Sequence, residues 1–300
     1  MIRSNGEKPI SASGEKMIEI ANSYAKAVIS EIGAELKSFV INSQEFIYQP
    51  TEGWWQGSSP VLFPTVGPMP DNKLEFNNKI YSIDFHGFAK SSVFSVENKT
   101  ADSATFKLSS NDNTLKSYPF DFAFLIQYTL IKDGLEILFS IKNNDTKNMY
   151  FGLGLHTGYK LFGDINESKI IFDSQEDRRE YSVDSNDAQL NVSPLINKNI
   201  LYLSDKLFEK GAVTFSNLKS KKCVFENQET NLEIDFSDFS CVTLWKQPSA
   251  PFLCIEPWSY KSGHYIFERD IEKISGMTCL LPECKKDFRL EIKKCKGEKV

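Results

Sequence analysis

The chain has 300 residues, 41% of them hydrophobic and 25% charged, which suits one large folded domain or two modest ones and excludes a disordered composition. A formal net charge of −5 removes the global basic field that nucleic-acid binding relies on, and no apolar run approaches the ~18 residues that suggest a membrane span. Phe is over-used at 23 residues and, with 11 Tyr and 4 Trp, favours β-rich packing.

The N-terminus, "MIRSNGEKPISASGEK", is polar and lacks the apolar segment of a secretory signal. Ordered structure is expected to start at Met17, so residues 1–16 read as a flexible extension and 17–295 as one domain. Beyond it, period-two alternation dominates and long amphipathic helices are absent. "AELKSFVI" and "ATFKLSS" read as strands. Between them, "GWWQGSSPVLFP" carries Trp54, Trp55 and Phe63, for which a core role is favoured over a sugar-stacking platform. "YSIDFHGFAK" ends a strand at His86, with Gly87 allowing a tight turn.

The clearest unit is "FAFLIQYTLIKDGLEILFSIKNND". Phe122, Phe124, Ile126, Tyr128 and Leu130 share one face, and Leu135, Ile137, Phe139 and Ile141 repeat the pattern after Lys132-Asp133-Gly134. Asp-Gly between alternating runs predicts a hairpin. "MYFGLGLHTGYKL" follows, with His156 among Gly152, Gly154 and Gly158, where strand glycines mark a bulge or a close approach, sometimes by a ligand. The charged "EDRRE" from Glu176 to Glu180 reads as a solvated loop. "AVTFSNL", "NLEIDFSDFSCVTLW" and "FRLEIKK" complete the strands, with His264 in a polar loop and no role assigned to it.

Within "APFLCIEPWSY", four apolar residues lead straight into Glu256, and a buried carboxylate is costly without a partner or a task. His86, His156 and Glu256 share a setting, since each follows an apolar run and precedes a Gly or Pro break. Two imidazoles and a carboxylate admit metal binding or general acid–base chemistry. Nothing like HExxH or a short HxH occurs, which disfavours metal. The six cysteines form no CxxC pair; Cys241 and Cys254 lie in apolar runs, as small buried thiols do, and a reduced, cytoplasmic protein is the simplest reading.

An ordered series of segments resembles the aldose 1-epimerase (galactose mutarotase) family, particularly its bacterial mutarotase-related branch. It runs through "ISEIGAELKSF", "SSPVLFPTVG", "DFHGFAKSSVF", "SYPFDFAFLIQYTL", "GLGLHTGY", "LFEKGAVTFSNLKSK" and "FLCIEPW". The resemblance covers nearly all of residues 17–293 and implies an all-β, antiparallel β-supersandwich in a single domain, with a sugar site on its concave face. It further implies Glu256 as catalytic base, His156 as acid, and His86, Lys90 and Trp245 as substrate-binding residues, with no metal or other cofactor. A monosaccharide is the implied partner, with no nucleic acid or membrane, and the protein is expected to be a monomer or weak homodimer. Several positions depart from the family, and Thr157, Gly158 and Tyr159 follow His156 where Pro and a small residue before Phe are common. Pro68 stands where an arginine is usual, Lys90 replaces another arginine, and Gly211 occupies the place of an aspartate that orients sugar hydroxyls. A non-catalytic sugar-binding protein, or an enzyme for phosphorylated hexoses using Lys90 and Lys246, are the alternatives.

Overall fold

The computed structural model describes residues 15–176, 180–183, 190–192, 195–261 and 268–295. His264, three residues of "EDRRE" and nearly all of the expected N-terminal extension lie outside the described residues. The first strand, Met17–Ala21, begins where ordered structure was expected.

The fold is all-β and antiparallel. Among the described residues, nine strands form one large sheet and eight another, with a four-stranded sheet within residues 17–45, one separate hairpin, Lys73–Phe76 with Lys79–Ser82, and one two-stranded pairing of Met149–Phe151 with Thr278–Leu280. A six-residue turn of α-helix, Asp112–Ser117, is capped at Asn111 by a reciprocal hydrogen-bonded box with Thr114.

The hairpin forms where alternation places it. Phe122–Ile131 and Gly134–Asn143 pair from end to end, and the two apolar series named above are buried. The turn differs in one respect. Lys132 and Asp133 make it, with Asp133 at φ 58°, and Gly134 is already paired with Ile131. Glycine is needed there because a Cβ would lie 2.5 Å from the Ile292 carbonyl oxygen of the next strand, Lys285–Cys295.

The two large sheets face each other across one continuous apolar core. Phe63 packs on Phe124 with ring centroids 4.8 Å apart, and Phe172 reaches Phe215 across the gap at 6.2 Å. The run "NLEIDFSDFSCVTLW" crosses between layers: Asn231–Asp235 joins the nine-stranded sheet and Cys241–Trp245 the eight-stranded one. One reading is corrected. Glu176 is fully buried rather than solvated, accepting from the Ser220 backbone N–H (2.6 Å) and hydroxyl (2.8 Å).

The strand Phe252–Trp258 sits inside the eight-stranded sheet and is buried along its whole length, so it shows no alternation to read. Leu253 and Ile255 belong to the core between the sheets. Phe252 and Cys254 belong to a second cluster with Tyr48 and Ala250, against which Trp54, Trp55 and Trp245 pack. Since side chains alternate along a strand, Glu256 shares the face of Phe252 and Cys254.

Candidate active site

Register assembles the site. Gly154 pairs with Trp258 and Thr157 with Ile255, which places His156 directly opposite Glu256. On the other side of the same strand, Thr243 pairs with Glu256, and Thr214 pairs with Thr243. One rung of the sheet therefore reads Thr214, Thr243, Glu256, His156. The His156 N–H donates to the Pro60 carbonyl on the far side, 2.9 Å away. His156 and Glu256 thus form the kind of antiparallel pair that exchanges no backbone hydrogen bonds, in which Cα atoms come within about 4.5 Å. Their side chains meet accordingly, His156 Nε2 lying 3.3 Å from Glu256 Oε1. Glu256 is in mid-strand, not at a strand end as its Pro257 neighbour suggested. Pro257 is accommodated because it costs one ladder donor and no more.

All four residues of the rung line a cleft of about 510 Å³. Its neighbours are aromatic. Trp55 lies over His156 with ring centroids 4.7 Å apart, and Trp245 meets the same imidazole edge-on at 5.7 Å. Trp258 forms another wall and approaches His86 at 6.0 Å. The glycines around His156 serve these rings rather than a ligand. A Cβ on Gly154 would stand 2.7 Å from Trp258, one on Gly158 2.9 Å from Trp55, and one on Gly152 2.2 Å from Tyr260.

His86 reaches the cleft from a loop. Both His86 (φ 66°) and Gly87 (φ 70°) are left-handed, and a Cβ on Gly87 would fall 2.2 Å from the Phe63 carbonyl oxygen. That carbonyl also accepts from the Phe88 and Ala89 N–H groups, which ties the loop to the segment before Pro64. The Gly67 N–H donates to His86 Nδ1 (2.9 Å), so Nδ1 is bare and the neutral ring carries its proton on Nε2. Burial, His156 and Lys90 together hold the His86 pKa well below its ordinary 6.5. Its imidazole ring is 5.6 Å from that of His156, centroid to centroid.

His156 is likewise depressed, to about 4, by burial; its own backbone offsets only part of this. A carboxylate at 3.3 Å favours the imidazolium, yet burial dominates, so the ring is uncharged at rest near neutral pH. Its Nδ1 is buried with no hydrogen-bond partner among the described residues, as is Trp258 Nε1.

Every residue assigned from the sequence lines the cleft: Glu256, His156, His86, Lys90 and Trp245. Lys90 is engaged there, donating from Nζ to the carbonyls of Phe85 (2.6 Å) and Gly87 (2.8 Å), the two residues flanking His86. Lys246 turns elsewhere. It is buried, donates to the Ala250 carbonyl (2.8 Å) and pairs with Asp205 (2.9 Å). Trp55, for which a core role was favoured, is a cleft wall, while Phe63 is core as expected. Thr214 and Thr243, with hydroxyls 2.8 Å apart, were missed. Their signal was available, because "AVTF", "CVTLW" and "CIEPW" each carry one polar residue inside an apolar strand.

The aldose 1-epimerase family model matches residues 16–275. Among curated proteins, the chromosomal protein LacX of Lactococcus lactis subsp. lactis is 27% identical over 288 residues, covering 88% of this chain and 95% of its own. Among solved structures, a galactose mutarotase-like protein from Lactobacillus casei superposes with a TM-score of 0.88 at 27% identity, covering 93% of this chain and all of its own. A galactose mutarotase related enzyme from Lactobacillus acidophilus gives 0.85 at 29% identity, with 93% of this chain and 97% of its own covered. With these likenesses extending over nearly the whole sandwich, the chain belongs to the aldose 1-epimerase family.

Proposed function

We propose that this protein is a mutarotase that interconverts the α and β anomers of an aldose by general acid–base ring opening, with residues 17–295 as its cytoplasmic working unit. The observation that carries the reading is the His156–Glu256 pair, 3.3 Å apart on one rung at an aromatic-walled cleft. Glu256 takes the proton of the anomeric hydroxyl, and that O–H electron pair forms the C1=O bond. The bond from C1 to the ring oxygen breaks, and the ring oxygen takes a proton from His156 in its imidazolium form, the minor form near neutral pH. Rotation about C1–C2 and the reverse transfers then close the ring on the other face. The net change is one proton moved between two oxygens of the same sugar, so catalysis requires neither metal nor redox cofactor.

The remaining groups bind. His86 presents Nε2–H as a fixed donor, because its other nitrogen is committed to Gly67. Trp258 contributes its indole to the cleft wall beside His86. Trp55 and Trp245 offer faces for the C–H side of a pyranose. Lys90 steadies the His86 loop through two carbonyls.

A second reading, a non-catalytic sugar-binding protein, is favoured by one observation. Pro68, Gly211 and Ala212 line part of the cleft and contribute no side-chain hydrogen-bonding group. The phosphorylated-hexose alternative has less support, since Lys246 points away and Lys90 is the one lysine lining the cleft among the described residues. Anomer exchange followed by NMR or polarimetry across a panel of aldoses, with chelated protein, separates these readings. Exchange faster than buffer for at least one sugar supports mutarotation. Saturable sugar binding without any acceleration establishes the second reading in its place.

A further inference from the structure

Cys254 and Glu256 stand two residues apart on Phe252–Trp258 and project from the same face, while His156 faces Glu256 from the neighbouring strand. The thiol sulfur, one imidazole nitrogen and one carboxylate oxygen all lie within 4.8 Å of one another. Zinc bonds of about 2.0–2.3 Å give a tetrahedral site edges of roughly 3.3–3.7 Å. The 3.3 Å between His156 and Glu256 already matches such an edge. Bringing Cys254 from as far as 4.8 Å to such an edge takes a shift of up to roughly 1.1–1.5 Å.

We propose that Cys254, His156 and Glu256 form a binding site for a thiophilic divalent cation, zinc by preference, and that an ion held there excludes the sugar. The exclusion rests on the mutarotase reading above; the metal site itself does not. Thiolate, imidazole and carboxylate are the donor set zinc takes, and three protein ligands leave a fourth position for water. His156 and Glu256 both line the cleft, so a bound ion occupies the space proposed for the anomeric centre. The imidazole nitrogen that faces Glu256 is Nε2, so Nε2 is the ligand atom His156 offers. Cys254 is a free cysteine, and without metal its burial and the nearby Glu256 keep it protonated. On binding, the S–H bond breaks, an S–metal bond forms and the proton leaves to solvent, with no change of oxidation state.

The absence of a compact metal motif concealed this arrangement. Cys-Ile-Glu supplies two ligands at strand spacing, and the third arrives from far upstream through sheet register.

Surface thiols bind metals too, so the test replaces Cys279, Cys284 and Cys295, which are exposed or half-buried, with serine. In that background, Co2+ titration should give one site with a cobalt–thiolate charge-transfer band, which Zn2+ displaces. Cys254→Ala and, separately, His156→Asn should abolish the band. Even an outer partner of a metal ligand is worth about 10–100-fold in affinity, so Zn2+ affinity measured calorimetrically should fall more than about tenfold in each variant. An aldose that binds should raise the apparent Zn2+ Kd by the competitive factor, one plus the ratio of aldose concentration to the aldose's own Kd. No thiolate band, or a band that survives Cys254→Ala, overturns the site. Zn2+ and sugar bound together without mutual weakening overturns the exclusion. A thiolate band displaced by sugar in a protein that accelerates no anomer exchange upholds the metal site and defeats only the catalytic reading.

Discussion

The hairpin 122–143 and the rung Thr214–Thr243–Glu256–His156 are both antiparallel sheet, built by the same backbone pairing, yet they put it to opposite uses. In the hairpin, one face is apolar and the other half-exposed, so the sequence alternates and the buried face does nothing but pack. In Phe252–Trp258, both faces are covered, one by the sandwich core and one by the tryptophan-lined cleft. Burial alone therefore does not separate structure from function here. What separates them is which groups stand opposite one another on a buried face.

The sharpest way to test that contrast is at the rung. Glu256→Gln keeps volume and one acceptor but cannot take the anomeric proton at neutral pH. General base catalysis is worth about 10²–10⁴ in rate, so exchange should fall by that factor with sugar affinity and melting temperature little changed. Near-normal exchange in this variant would falsify the assignment of the base. The hairpin should respond in the opposite sense. Phe124→Ala removes a fully buried ring that packs on Phe63, and losses of about 3–5 kcal/mol in urea unfolding are expected. Exchange per folded molecule should stay near wild type. A variant equally stable but slow would mean that the core hairpin tunes the site.

Acidification probes both regions at once. The folded pKa of His156 is depressed to about 4 from the usual 6.5, so the unfolded chain binds more protons between those values. Stability is then fully present above pH 6.5 and is lost as pH falls toward 4, by about 3 kcal/mol for this group alone. His156→Asn should flatten the slope of stability against pH over that window, and an unchanged slope would show that other groups carry it. The same shift predicts that kcat/KM rises as pH drops from 7 toward 5, because the acid must be protonated to serve the ring oxygen. A rate that instead climbs with pH would mean that the neutral ring donates only a hydrogen bond.

The smallest effect is expected at the cleft edge. Lys90→Met frees the Phe85 and Gly87 carbonyls and loosens the His86 loop without touching the reacting pair. Hydrogen bonds to a charged group contribute about 1.5–3 kcal/mol before solvent competes for them, so roughly a tenfold rise in KM is reasonable, with kcat nearly kept. A matching fall in kcat would promote Lys90 to the chemistry.

Much of the architecture could be read in advance because half-buried strands advertise their faces. Phe122 to Ile141 is legible for that reason, down to the position of the turn within one residue. The site was less open. Alternation disappears in "FLCIEPW", where both faces are buried, and register between His156 and Glu256 is a long-range property that no local spacing encodes. Their assignment rested on the family resemblance. Trp55 was misjudged because a Trp-Trp pair suits core and platform equally, and Gly134 because Asp-Gly suggests a turn even where the glycine is needed for strand approach. The Glu176 carboxylate escaped because charge density alone says nothing about a buried acceptor of Ser220 donors.

Pro257 carries one last implication. Lacking an N–H, it offers nothing to the Leu155 carbonyl, while the His156 amide is clipped to Pro60 on the opposite side. The rung is thus one backbone hydrogen bond short between the acid and the base, although their strands stay paired on both sides of it, Gly154 with Trp258 and Thr157–Lys160 with residues 252–255. The acid's own amide is tied instead to the stretch that carries Trp55, as is that of Gly158 through Ser58. A sugar that settles on Trp55 should tighten those two bonds, and slowed amide exchange at His156 and Gly158 on sugar binding is where that would first register.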